Sequence, residues 1–93
     1  MDTVVIQIGN SDDKLSQSRW SEYCTQVDYA IRSSAVHVHF NGTSPGDAPW
    51  QNAAWIFEME ADDVDDLIYN LVNIRQAFGQ ESIAIQWGET KFI

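Results

Sequence analysis

The chain has a single cysteine and few basic residues, and both shortages narrow its chemistry. Cys24 has no second cysteine to pair with, so an internal disulfide and a thiolate metal cluster are both excluded. Five lysines and arginines stand against 14 aspartates and glutamates, which gives a net charge of −9. Because this negative field repels phosphate groups, we expect no direct binding to DNA, RNA or a membrane surface. The same field favours a basic protein partner.

Long apolar runs are also missing. No segment approaches the roughly 20 apolar residues of a membrane span. The first residues, MDTVVIQIGN, lack the basic start and the long apolar core of a signal peptide, so we expect a cytoplasmic location. The 93 residues are 44% hydrophobic and include four tryptophans, which predicts one globular domain over residues 1–93.

Hydrophobic periodicity predicts four strands and two helices in the order β-α-β-β-α-β. Alternating apolar residues indicate strands at 3–8, 35–40, 53–60 and 82–87. Helical spacing indicates one helix that begins near Ser16 and a second that is capped by Asp62 or Asp63 and ends near Phe78. Two split β-α-β units predict an α+β, ferredoxin-like sandwich, in which a four-stranded antiparallel sheet in the order 4-1-3-2 carries both helices on one face.

The alternation also predicts the two faces of the sheet. Each strand supplies three large apolar residues to the face that packs on the helices: Val4, Ile6, Ile8, Val36, Val38, Phe40, Trp55, Phe57, Met59, Ile83, Ile85 and Trp87. The opposite, open face is predicted to carry Val5, Gln7, His37, His39, Ile56, Glu58, Ala84 and Gln86. By analogy with other domains of this fold, we expect two copies to cover this face by pairing as a homodimer.

His37 and His39 are the first candidates for chemistry. Two imidazoles at positions i and i+2 of a strand point to the same side, about 7 Å apart. Glu58, on the neighbouring strand, would complete a zinc site if the register allowed it. Because the sequence has no further histidine and only one cysteine, we favour a partly solvated histidine pair and predict no cofactor.

Two further groups have plain structural interpretations. Asn10, Asp12 and Asp13 lie in the connection after the first strand, where a cation or substrate site is one interpretation and turn chemistry is the one we favour. Cys24 lies within the apolar stripe of the first helix, which indicates a core thiol in place of a nucleophile. Serine, histidine and aspartate occur, but the sequence has no G-x-S-x-G elbow, and we predict that the protein is not an enzyme.

Two surface segments each leave two interpretations open. The acidic run EMEADDVDD, at 58–66, is either a solvated helix start or a contact for a basic protein surface. The connection NGTSPGDAPWQN, at 41–52, is long for a hairpin, and long connections are often functional. Its Trp50 either packs over the sheet edge or contacts a partner.

Three stretches together resemble small uncharacterised proteins of actinobacteria and their phages: IQIGNSDDKLSQ at 6–17, DAPWQNAAW at 47–55 and GETKFI at 88–93. They cover about a third of the chain. The resemblance implies a phage or mobile-element origin but assigns no activity and no site residues. Small acidic phage proteins often bind a host protein or sequester a small molecule.

The leading hypothesis is a non-enzymatic protein-interaction domain, homodimeric and of phage or bacterial origin. Its candidate binding residues are Trp50, His37, His39, Ile56, Glu58, Gln7 and Gln86. One alternative is a phage counter-defence protein that sequesters a nucleotide signal with Trp50, His37 and His39. The other is a small metal-dependent enzyme that uses His37, His39 and Glu58.

Overall fold

A computed structural model of the protein describes all 93 residues as one sheet and one pair of helices. The elements are β1 (Asp2–Gly9), α1 (Gln17–Ser34), β2 (His37–Thr43), β3 (Asn52–Met59), α2 (Val64–Ala77) and β4 (Ala84–Gly88), with a 3-10 turn before each helix. The sheet order is β2-β3-β1-β4, and all neighbouring strands are antiparallel. This is the predicted order, and the predicted ferredoxin-like α+β class is confirmed.

The helix boundaries follow from local polar groups. Ser16 caps α1, because its hydroxyl accepts a hydrogen bond from the Arg19 N–H at 3.2 Å. Asp63 holds the position before α2, but its side chain makes no capping hydrogen bond. At the other end of α2, Arg75 donates to the carbonyl oxygens of Gln80 and Glu81 at 2.9 and 3.2 Å, which fixes the turn into β4.

One apolar cluster joins a single face of the sheet to both helices. Its members come from alternate positions of β1 and β3, from the stripes of α1 and α2, and from the turn after α2: Val4, Ile6, Ile8, Trp20, Tyr23, Val27, Ala30, Ile31, Ala53, Trp55, Phe57, Met59, Val64, Leu67, Leu71 and Phe78. Both helices therefore lie on the same side of the sheet, as predicted.

A partly buried hydrogen bond joins β3 to α1 at the border of this cluster. The indole of Trp55 is almost wholly buried, and its Nε1–H donates to Asp28 Oδ1 at 2.9 Å. Asp28 also accepts from Arg32 Nε at 3.0 Å, one turn later on the same helix. The carboxylate therefore satisfies the one polar atom that Trp55 brings into the core.

The predicted inward orientation is wrong for Phe40. In the pairing of β2 with β3, Val38 lies opposite Phe57, but Phe40 lies opposite Ile56 because a β-bulge between them inserts one residue. Since side chains alternate along a strand, that insertion turns Phe40 onto the face away from the helices, where it is 53% exposed.

The outer parts of the predicted inward set are also less buried than expected. Val36 precedes β2 and is 59% exposed. Trp87 lies opposite Val4 and faces the helices, yet it is 51% exposed, because β4 is an outer strand that the helices cover only in part. Ile83 and Ile85 are partly buried.

The connection between β2 and β3 is shorter than predicted, because β2 continues to Thr43.

The core holds one polar atom without a partner. Tyr23 is fully buried, its ring lies 5.1 Å from that of Phe78, and its hydroxyl has no hydrogen-bond partner. Burial raises the pKa of this phenol to about 12. The hydroxyl therefore enters the core without a hydrogen bond to another side chain or to the backbone.

Replacing Tyr23 with Phe is expected to raise the free energy of unfolding by about 1 kcal/mol, because the ring stays and only the unpaired hydroxyl goes. Urea unfolding at neutral pH measures the change. Tyr69→Phe is the matched control, because Tyr69 is 68% exposed and its hydroxyl stays in water. A lower stability of Tyr23→Phe would show that the hydroxyl has a partner after all.

Candidate functional site

The open face is the surface of the sheet turned away from the helices. Strand pairing places its residues in rows, because partners in an antiparallel pair share a face. His37 lies opposite Glu58, Val5 lies between Ile56 and Gln86, and Gln7 lies between Ala54 and Ala84. Val5 and Ile56 therefore occupy the two central strands, β1 and β3, in the middle of this face.

Phe40 lies on the open face, although the apolar alternation predicted that it would face the helices. Its ring lies over Gly42, where a Cβ would come within 2.6 Å of the ring Cζ atom, so only glycine leaves room for it there. Gly42 lies within the observed β2 but beyond the predicted strand 35–40, so the glycine was a signal of close approach only once the longer strand was known. Phe40 and Gly42 border a groove of about 400 Å³ that also includes Gln7, Asn52 and Ser82.

Charge is almost absent from the open face. The outward positions of the four strands include one acidic residue of the chain's 14, Glu58. Its Oε1 lies 3.4 Å from His39 Nε2. The acidic run that continues from Glu60 to Asp66 lies at the start of α2, in the other layer, and its aspartates are exposed there.

His37, His39 and Glu58 lie near one another but do not form a metal site. The rings of His37 and His39 have centroids 4.6 Å apart and are inclined by 75°. No group of three or more histidine, cysteine, aspartate or glutamate side chains in the chain is arranged to hold a metal ion. The three residues are therefore a polar border of the open face.

Trp50 lies far from the histidines. Its indole Nε1 is beside Gly9, at the end of β1 that pairs with Asn52, whereas His37 pairs with Glu58 near the other end of β3. The structure does not bring Trp50, His37 and His39 into one pocket. Trp50 is 38% exposed, so part of the ring packs against the chain and part remains open to solvent.

Asn10 connects the segment after β1 to the connection after β2. Its buried side chain accepts from the Leu15 N–H at 2.8 Å and donates to the Leu15 carbonyl at 2.9 Å. Its backbone N–H donates to the Gln51 carbonyl at 2.8 Å, and its amide lies 3.2 Å from Gln51 Oε1. Gln51 in turn donates to Gln17 Oε1 at 2.7 Å. The predicted role of Asn10 in turn chemistry therefore extends to the second connection.

These contacts frame a surface pocket of about 440 Å³, which we call the loop pocket: Asp13, Gln17, Trp20, Pro45, Trp50 and Gln51 are among its lining residues. Asp12 and Asp13 have φ values of 57° and 53°, in the left-handed region that aspartate and asparagine tolerate better than most residues. The pocket thus brings one carboxylate together with two indoles.

Cys24 packs against the core and is partly buried. Burial raises the pKa of its thiol from 9.0 to about 11. The thiol is therefore protonated at neutral pH, which opposes the role of a nucleophile.

Neither helix is long and apolar enough to cross a membrane.

The chain matches no protein-family model and no curated protein. Several solved structures share its fold. A dimeric ferredoxin-like protein of unknown function from Thermobifida fusca has a TM-score of 0.64 and 10% identity, over 97% of this chain and 92% of the other. Hydroxynitrile lyase from Passiflora edulis has a TM-score of 0.61 and 12% identity, over 99% and 97% of the two chains.

A third structure, SnoaB, a cofactor-independent oxygenase from Streptomyces nogalater, has a TM-score of 0.61 and 4% identity, over 99% of this chain and 93% of the other. Two of these three neighbours are enzymes and one has no known function. At such identities the likeness shows the fold alone, and function must be argued from the residues of this chain.

Replacing Asn10 with Ala is expected to lower the free energy of unfolding by about 2 kcal/mol or more, because the N–H and carbonyl of Leu15 lose their partners. Chemical denaturation measures the loss. Asn70→Ala, at an exposed position of α2, is the control and should raise stability by no more than about 0.7 kcal/mol through helix propensity. Equal stability of the parent and Asn10→Ala would contradict the proposed connection.

Stability is expected to fall as the pH rises from about 9 to about 11. The unfolded chain releases the Cys24 proton from pH 9.0, whereas the folded chain holds it until about pH 11, so deprotonation favours the unfolded state across this interval. Unfolding curves at pH 8, 9 and 10 measure the slope, and Cys24→Ala should flatten it. Tyr23 adds its own decline above pH 10.0, where a slope remains in Cys24→Ala. An identical slope in both proteins below pH 10 would contradict the raised thiol pKa.

Proposed function

We propose that this protein is a non-enzymatic interaction domain that pairs with a second copy through the open face. Val5 and Ile56 meet at the centre of that face, and Phe40 and Ala54 add apolar surface beside them. The pairing would be two-fold symmetric, so each residue near the axis would approach its own counterpart.

The single observation that carries this proposal is the distribution of charge. Two chains that each carry a net charge of −9 repel one another in most orientations. Pairing through the open face would bring together the surface with one acidic residue, Glu58, which has His39 beside it. The acidic start of α2 would remain on the outside of the pair, because the helices lie in the other layer. This separation of the acidic side chains from the open face supports association through the sheet.

The size of the face sets the expected strength. Four strands spaced by about 4.8 Å and about seven residues that rise by about 3.3 Å give a face of roughly 19 by 23 Å. If the two faces were flat, a pair of copies would bury roughly 900 Å² of surface in total. This area lies below the usual range for stable complexes. We therefore expect a dimer that dissociates on dilution.

A binding role also fits the titratable groups. The two residues with shifted pKa values, Tyr23 and Cys24, are both held in their neutral forms by burial in or beside the core. Such shifts reflect packing and do not prepare an acid, a base or a nucleophile for reaction near neutral pH. The nucleotide-sequestering alternative needs Trp50 beside His37 and His39, which lie near the opposite end of the sheet. For the metal-dependent alternative, His37, His39 and Glu58 lie near one another, but no group of three such side chains is arranged around a common ion position.

The proposed bacterial or phage origin and the proposed partner rest on the sequence resemblance and on charge. The resemblance to small proteins of actinobacteria and their phages supports a bacterial or phage origin, and one fold neighbour from Thermobifida fusca is described as dimeric. In such a setting, a paired acidic domain fits the binding of a basic protein. Pairing through the sheet leaves the helices and the loop pocket available for that partner.

Replacing Ile56 with Asp is expected to leave the chain monomeric at concentrations where the parent is dimeric, because two new carboxylates would be brought together near the symmetry axis. Light scattering coupled to size exclusion, run over a dilution series, measures the mass. Tyr29→Asp is the matched control, because Tyr29 is 76% exposed on α1 and outside the proposed contact.

The dimer would be excluded by a parent chain that stays monomeric at about 1 mM, a concentration at which even weak specific pairs associate. Equal dissociation by Ile56→Asp and Tyr29→Asp would place the contact elsewhere. Far-ultraviolet circular dichroism of both variants separates loss of pairing from loss of folding.

A further inference from the structure

The loop pocket contains a carboxylate without a cationic partner. Asp13 has one side-chain contact, the amide of Asn10 at 3.4 Å, and it takes part in none of the four ion pairs of the chain. The two nearest cations along the sequence are engaged elsewhere. Lys14 lies 3.6 Å from Glu81, and Arg19 pairs with Glu22 at 2.7 Å while its guanidinium covers the ring of Phe78.

Aromatic side chains line the same pocket as this carboxylate. Trp50 lines the pocket with a ring that is 38% exposed, and Trp20, which is almost buried, contributes a smaller part of the wall. No lysine or arginine is among the lining residues. A carboxylate and a partly exposed indole in one pocket are a combination that recognises an organic cation, because the ring face and the anion both attract positive charge.

The pocket is held open by its own hydrogen bonds. Asn10 joins Leu15 to Gln51, and Gln51 joins Gln17 at 2.7 Å, so both connections are tied to α1. A site that is already formed loses less entropy when a ligand binds. The net charge of −9 also attracts a cationic group toward the surface.

We infer that the loop pocket binds an arginine side chain of a protein partner, with the guanidinium on the Trp50 ring and hydrogen-bonded to the Asp13 carboxylate. Arginine suits the site better than lysine, because its flat guanidinium stacks on an indole and donates in a plane toward a carboxylate. The inference goes beyond pairing through the open face, since the pocket is built from the two connections and the start of α1 and needs no second copy.

Titration of the full chain with N-acetyl-arginine amide tests this directly. The indole Nε1–H signal of Trp50, assigned with Trp50→Phe, is followed by nitrogen-proton correlation spectra. We expect a saturable shift with a dissociation constant on the order of 1 mM, as befits one side chain. The neutral isostere N-acetyl-citrulline amide should bind about tenfold more weakly, because it lacks the charge.

Asp13→Asn should weaken binding of the arginine derivative by about tenfold, and asparagine accepts the same left-handed backbone. Asp47→Asn is the matched control, because Asp47 lies in the same connection as Trp50 but does not line the pocket, and its effect should stay within about twofold. Ile56→Asp should bind as the parent does, which separates this site from the open face.

Three results would overturn the inference: no saturable shift of the Trp50 signal up to about 10 mM ligand, equal binding of the citrulline derivative, or equal weakening by Asp13→Asn and Asp47→Asn. The comparison of the two ligands uses the unaltered chain, so it decides the question even if a variant folds poorly.

Discussion

The alternation of side chains along β1 and β3 is the constraint on which the rest of the structure depends. Each strand sends every second residue into one layer shared with both helices, and a shift of one residue would turn the buried Trp55 toward solvent. The hydrogen bond from Trp55 to Asp28 adds a directional requirement to this packing, because the indole N–H meets its acceptor on α1 in one register only. The open face exists because the helices occupy the other side.

The sequence predicted the central part of the fold well and the outer strands less well, for a physical reason. Positions in β1 and β3 have neighbours on both sides and helices above, so their apolar pattern is strict. β2 and β4 have one neighbouring strand each, which leaves room for the bulge that turns Phe40 and for the exposed indole of Trp87. The alternation of apolar residues predicts which side chains share a face, but it does not predict where a bulge adds a residue to a strand.

For the candidate site, the members of the open face other than Phe40 followed from the apolar alternation, whereas their distances from other groups did not. Trp50 and the histidines all lie outside the core, and the sequence offered no measure of the length of sheet between them. The loop pocket depends on contacts between Asn10 and Gln51, which are 41 positions apart. The composition of the two segments does not predict this contact. The presence of Asp13 and Trp50 in one pocket is therefore visible only in the folded structure.

The bulge in β2 has a consequence for how further strands could add to the sheet. β2 is an outer strand, and a regular outer strand is a template on which further chains add without limit, as in fibres. The extra residue between Val38 and Phe40 breaks the even spacing of donors and acceptors on that border, so strand addition is discouraged there. The same insertion delivers an aromatic ring to the flat side of the sheet. Along this border the bulge therefore opposes open-ended strand addition, while the ring that it turns outward enlarges the apolar part of the open face.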